Sequence, residues 1–266
     1  MKSYDKANRK IVALHADRER LAGLSSDLRG QLNSVRQLLH GTLHDLRRLS
    51  DIISTNSEEL DRRLMRTTDT FSVDINNNVY YASGMLAARL AYVDIELDPQ
   101  LASQQAKVRI GLYKKFEKAS RILRTKLREK NINYRIVGAS HTSFEASRAF
   151  ELVPFLILEN AVKYSPQDQT ITVKFDEVVG RQIDVSVTSI GPVVAEHELP
   201  KIFERGFRGS NAGRCGADGE GLGLHMVKVL CELELIKFRA SMGEPLFGLN
   251  GIEYGEFSVH LTWRAL

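Results

Sequence analysis

The feature that most limits what this chain can fold into is a ladder of apolar residues near its start. Leu21, Leu24, Leu28, Leu32, Val35, Leu39, Leu43, Leu46, Leu49 and Ile53 recur at steps of three or four. That period lays one apolar stripe along an α-helix. Proline first occurs at Pro99, and weaker continuations of the stripe stand at Ile11, Leu14, Leu60 and Leu64. The run far exceeds the usual ~10–14 residues of a globular helix, which predicts a coiled coil or a helical hairpin. Gly23, Gly30 and Gly41 each weaken it by about 1 kcal/mol relative to alanine. Residues 67–78 carry three successive asparagines and are predicted to be a loop. A second helix follows with Val79, Ala82, Leu86, Leu90, Val93 and Leu97 on one stripe, closed by Pro99. Two antiparallel helices with one stripe each bury them best as a homodimeric four-helix bundle.

From residue 100 onward the pattern is mixed α/β. Residues 106–130 read as a basic helix, 131–139 as a strand, 150–163 as an apolar helix, and 170–179 with 182–189 as a hairpin. A further helix and strands at 235–241 and 256–263 complete a two-layer sandwich, helices on one face of a sheet. The expected class is α+β, divided at 1–99 and 100–266. Two cysteines, Cys215 and Cys231, make no disulfide framework and fit a reducing compartment. A net charge of +4 in 266 residues demands neither nucleic acid nor a membrane surface. Without a run of 18 apolar residues, or a signal-peptide pattern in the charged first 20, a cytoplasmic protein is expected. Any outside signal would then reach it through a separate sensor or input protein.

Three places carry chemistry. In the stretch 155–166, Asn160, Lys163 and Tyr164 share one side of the predicted helix. An amide oxygen suits Mg²⁺, an ammonium suits a phosphate, and an aromatic ring covers a base; a core helix with a polar end is the plainer alternative. Residues 210–219 are polar and glycine-rich, as a mobile flap would be. Next comes Gly219-Glu220-Gly221-Leu222-Gly223-Leu224, entering an amphipathic helix. Glycines at a helix start leave its first N–H groups open to a phosphate, although a plain helix-start loop reads the same way. On the first helix His44 lies just off the apolar seam beside Asp45, which could orient the ring and take its proton. A solvated histidine on a coil is the alternative, and His40 stands one turn earlier.

Together these segments resemble the histidine kinases, whose ATP-binding domain is of the Hsp90, gyrase and MutL (Bergerat) type. Residues 155–166 look like the N box, Gly191 like the first glycine of the G1 box, Ile202-Phe203-Glu204-Arg205 like the F box and 219–224 like the G2 box. Leu43-His44-Asp45-Leu46-Arg47 looks like the H box of the dimerisation and phosphoacceptor hairpin. The resemblance implies that Asn160 holds Mg²⁺, Lys163 a phosphate and Tyr164 the adenine face of ATP. Ser189 and Gly191 would meet the base, and Gly219, Gly221, Leu222, Gly223 and Leu224 the phosphates. Residues 210–218 would close as a lid, and Arg208 would reach in from its base. His44 would attack the γ-phosphate with Asp45 as base, and a receiver-domain aspartate of a response regulator would take the phosphoryl group.

Four departures accompany the match. The G1 aspartate is Ser189, the second G1 glycine is Val193, and the N-box polar position four residues before Asn160 is Leu156. The H box lacks its proline and carries Arg48 four residues after His44. Leu156 argues against water-directed ATP hydrolysis, and Arg48 against phosphatase activity toward a partner. Two other readings follow: a degenerate kinase serving as a dimeric scaffold, and an ATP-driven clamp.

Overall fold

The computed structural model describes residues 17–30, 53–58, 70–97, 106–179, 181–215 and 221–264, and single positions between 15 and 62. The expectations for His40, His44, Asp45, Arg48 and Gly219 lie outside these residues. The chain falls into two compact units, Met1–Leu49 and Ser50–Leu266. In the first, 17–30 is helical, and of the described stripe residues Leu21, Leu24, Leu28, Leu32, Val35 and Leu46 are exposed while Leu43 is buried.

The second unit opens with helical residues 53–58 and helix α1 (Thr70–Leu97). The loop expected over 67–78 is corrected, because α1 already includes 70–78. Buried partners explain the difference. Asn76 Nδ2 donates to Ser57 O (2.7 Å) and its Oδ1 accepts from Ser57 Oγ (2.7 Å), so an asparagine that favours turns is satisfied inside a helix pair. Ser50 and Ser83 exchange hydroxyl-to-carbonyl bonds of 2.7 and 2.6 Å. The apolar stripe expected on α1 is also redistributed. Val79 and Leu86 are exposed, whereas Ala88, Tyr92 and Ile95 enter the main core.

Strand β1 (Lys107–Ile110) occupies the start of the segment expected to be wholly helical, and pairs antiparallel with β3 (Phe144–Ser147). Helices α2 (Leu112–Ile122) and α3 (Arg124–Glu129) follow it, with β2 (Asn133–Val137) before β3. A 3₁₀ turn, Arg148–Glu151, leads into α4 (Leu152–Tyr164). Strands β4 (Thr170–Val178) and β5 (Gln182–Pro192) form the expected hairpin. After a 3₁₀ turn at Lys201–Phe203 come α5 (Ser210–Arg214), α6 (Gly223–Leu233), β6 (Lys237–Leu249) and β7 (Ile252–Arg264). The main sheet runs β2-β4-β5-β7-β6, with only the β2–β4 pair parallel. Helices lie on one face of it.

The core joins Phe116, Phe150, Ile157 and Leu158 from the helical layer to Ile171, Val173, Ile183 and Leu261 from the sheet. Each such side chain, fully buried, contributes about 1.5–3 kcal/mol. Eight residues of α4 are buried, since it packs on β5 below and on α2 and α6 beside it. Trp263 stacks on Phe144 with centroids 5.2 Å apart, closing one end of the core as its strand position predicts.

Candidate functional site

The end of α4 is set by its sequence. Proline disfavours helical dihedrals in the residue before it, and Ser165, preceding Pro166, is extended (φ −67°, ψ 135°). Ser165 Oγ donates to Ile190 O (2.9 Å), fastening the helix end to β5. Lys130 Nζ donates to the carbonyls of Val162, Lys163 and Ser165 at 2.8–2.9 Å, satisfying acceptors that the helix leaves open. Burial draws the pKa of this ammonium below its ordinary value.

Beyond that end opens a cavity of about 1080 Å³. Asn160, Lys163 and Tyr164 line it from α4, and Ser189 and Gly191 from β5. Arg208 lines it from the loop before α5, and Gly221, Leu222, Gly223 and Leu224 from the start of α6. Every expected nucleotide-site residue that is described therefore borders one cavity. Lys163 Nζ stands 5.0 Å from the Tyr164 ring centroid, so one ring face already carries a cation. Leu156, Ile202 and Phe257 supply apolar wall.

Gly221 is where the backbone demands glycine. Its φ is +70°, and a Cβ there would meet Phe207 O at 2.5 Å and the Gly206 carbonyl carbon at 2.7 Å. Gly206 N–H donates to Gly221 O (3.1 Å), locking the loop after Phe203 to the glycine-rich loop before α6. The residue ahead of α6 is Leu222, and no side chain caps the helix. Its first N–H groups are therefore left without a side-chain acceptor at the helix's positive end, where Leu222, Gly223 and Leu224 line the cavity.

The flap expected over 210–219 begins as helix α5 rather than as loop. Ser210 N–H donates to Glu198 Oε1 (3.1 Å), Asn211 Nδ2 to Val193 O (2.9 Å) and Arg214 Nη2 to Gly251 O (3.3 Å). Val193, where a second G1 glycine was expected, thus holds α5 through its carbonyl. Ser189 is buried, at 5% exposure.

Sequence reasoning missed several cavity residues: Arg89 from α1, Lys126 and Glu129 from α3, Lys130, and Glu159. The basic character of 106–130 was the available signal for Lys126 and Lys130, but only the tertiary fold brings them to Glu159 and to the end of α4. Lys126 pairs with Glu159 at 3.7 Å. The lining holds five cations (Arg89, Lys126, Lys130, Lys163, Arg208) against two carboxylates (Glu129, Glu159), so it favours an anion.

Parts of the chain are similar to known proteins. A family model described as "Histidine kinase-, DNA gyrase B-, and HSP90-like ATPase" matches residues 147–248. The adaptive-response sensory kinase SasA of Gloeothece citriformis is 36% identical over 72 residues, 27% of this chain and 18% of its own length. Sensor protein BceS of Halalkalibacterium halodurans is 36% identical over 85 residues, 32% of this chain and 25% of its own. Sensor histidine kinase Hik2 of Thermosynechococcus vestitus is 34% identical over 108 residues, 41% and 26% of the two chains. The matched stretches thus span about a quarter or less of these relatives. Among solved structures, the mycobacterial sensor histidine kinase MprB is similar with TM-score 0.46 and 19% identity, over 60% of this chain and all of that one. Full-length ShkA in complex with AMPPNP has TM-score 0.49 and 18% identity, over 84% of this chain and 47% of that one. Residues 147–248 thus match the family of histidine kinase-, DNA gyrase B- and HSP90-like ATPases, and the curated relatives that parts of this chain resemble are sensor kinases.

Proposed function

We propose that this chain is an ATP- and Mg²⁺-dependent protein-histidine kinase of a two-component phosphorelay, labelling itself on His44. The observation that carries the reading is the uncapped start of α6 facing the same cation-rich cavity as Asn160, Lys163 and Tyr164. A nucleoside triphosphate matches that arrangement: backbone N–H groups for phosphate oxygens, ammonium and guanidinium groups for their charge, and a ring beside the base. Magnesium ordinarily keeps several waters and takes one or two protein oxygens plus phosphates, and the Asn160 amide oxygen suits that role.

In the transfer step the neutral His44 imidazole nitrogen forms a bond to the γ-phosphorus. The bond from that phosphorus to the bridging oxygen breaks, ADP leaves, and Asp45 accepts the ring proton. A receiver-domain aspartate of a response regulator would then take the phosphoryl group. Residues 1–99 would serve as dimerisation and phosphoacceptor domain, and 100–266 as ATP-binding domain. The exposed leucines of 17–30 and the exposed Val79 and Leu86 favour a homodimer. Among the described residues no helix is long and apolar enough to cross a membrane. We place the protein in the cytoplasm, taking its signal from a separate input protein and binding no nucleic acid.

The deciding experiment incubates wild type, His44→Gln and Asn160→Ala with γ-labelled ATP and Mg²⁺. Acid-labile, base-stable label on wild type, lost in both variants, is the expected result. Label retained in His44→Gln but lost in Asn160→Ala would move the acceptor elsewhere, to His40 first. Absence of both label and nucleotide binding in wild type would favour the scaffold reading. Steady hydrolysis of ATP without phosphoprotein would favour the clamp.

A further inference from the structure

Helix α1 lies outside the matched ATPase segment, yet it supplies a wall of the cavity through Arg89. It is firmly placed there. It packs on the 148–151 turn, α2 and α4, with Ala88, Tyr92 and Ile95 buried in the main core. Further along, Tyr92 Oη donates to Glu96 Oε1 (3.0 Å), and Arg205 Nη1 lies 3.3 Å from that oxygen. Arg205 adjoins Gly206, which bonds Gly221, so this ion pair ties α1 to the glycine loop that opens α6. Arg89 precedes Glu96 by seven residues, two turns or about 10 Å along the same face.

The other lining cations are partly committed. Lys130 is held by three carbonyls and Lys126 by Glu159. Arg89 is exposed, and its guanidinium stands on a helix whose backbone is fixed by burial on either side. A planar fork of N–H donors on a rigid support suits bidentate contact with phosphate oxygens.

We propose that Arg89 binds the phosphates of the nucleotide, so that α1 itself registers whether the site is filled. The proposal rests on the nucleotide reading above and adds to it a ligand from outside the ATPase segment. It makes affinity for a nucleoside triphosphate depend on the docking of α1. Occupancy in turn strengthens that docking by the same factor.

The test is calorimetric titration of the full chain with Mg²⁺ and ATP, for wild type and Arg89→Gln, at low and high salt. The expected result is an affinity at least about fivefold lower for Arg89→Gln at low salt, the gap narrowing as salt screens the lost charge. A loss below fivefold, with wild type binding normally, overturns the role of Arg89 and leaves the nucleotide reading standing. A loss that does not change with salt overturns it too, since a packing defect would behave that way. Failure of wild type to bind ATP overturns both.

Discussion

Ser189 faces the cavity from β5 at the position where the family resemblance leads one to expect an aspartate. On the proposed nucleotide reading its hydroxyl would meet the base without charge, so loose selection between adenine and guanine is expected. Ser189→Asp would place a carboxylate in a buried position, where an unsatisfied charged group costs about 1–3 kcal/mol or more. The variant is therefore expected to melt below wild type without nucleotide and to recover more on adding ATP than on adding GTP; equal recovery would remove the base-reading role. Lys130 acts on the same site from beneath. Lys130→Met leaves three carbonyls at the end of α4 without their donor, an expected loss of about 1–3 kcal/mol, checked by denaturant unfolding. Because those carbonyls adjoin Lys163 and Ser165, nucleotide affinity should fall with it.

At the scale of elements, the loop from Gly206 to Gly221 and the β6–β7 ribbon decide the geometry. Gly221→Ala would need a left-handed backbone and push on two carbonyl groups, a cost of about 1–3 kcal/mol. Its expected signature is lost ATP binding with a nearly unchanged far-ultraviolet spectrum, because the strain is confined to the start of α6. The ribbon turns at Asn250-Gly251, both with positive φ (52° and 74°), the pairing that a tight two-residue hairpin turn requires. On it, His260 bonds Ser241 Oγ through Nε2 at 3.2 Å. Burial, and then Arg239, hold its pKa below the ordinary histidine value. Protonation is thus easier in the unfolded chain, and stability falls as pH drops through the ordinary histidine range. His260→Gln should flatten that part of the unfolding-versus-pH curve; an unchanged slope would assign it to other groups.

At the scale of the whole molecule, the leucines at 24 and 28 are 58% and 63% exposed. Helices with such stripes associate to bury them. Leu24→Glu with Leu28→Glu is expected to shift the sedimentation equilibrium toward monomer while leaving the melt of the ATPase domain in place. A monomeric wild type would remove the four-helix bundle from the account.

Much of this was legible in the amino-acid order. Helical period marked residues 17–30 and α4, alternation marked the β4–β5 hairpin, and Pro166 marked the end of the N-box helix, because each is a local property of the backbone. The nucleotide-site residues were legible as types at fixed spacing. The short strands β1 and β3 were not, since four residues carry too little alternation to outweigh neighbouring helix formers. The Asn250-Gly251 signal was there to be read, yet the full length of the ribbon beyond 241 was missed, because the outer half of β6 is exposed and its residues show no apolar alternation. Asparagine favours turns by local preference, and Asn76 sits in a helix because Ser57 on the facing segment satisfies its side chain. The inward turn of Lys126 and Lys130 and the entry of Arg89 into the cavity wall depend on contacts between residues far apart in sequence. Sequence alone determined the helical ladder, the sheet-forming segments and the chemical inventory of the site. Tertiary structure alone decided which cations share that site, because convergence in space depends on how helices pack on the sheet.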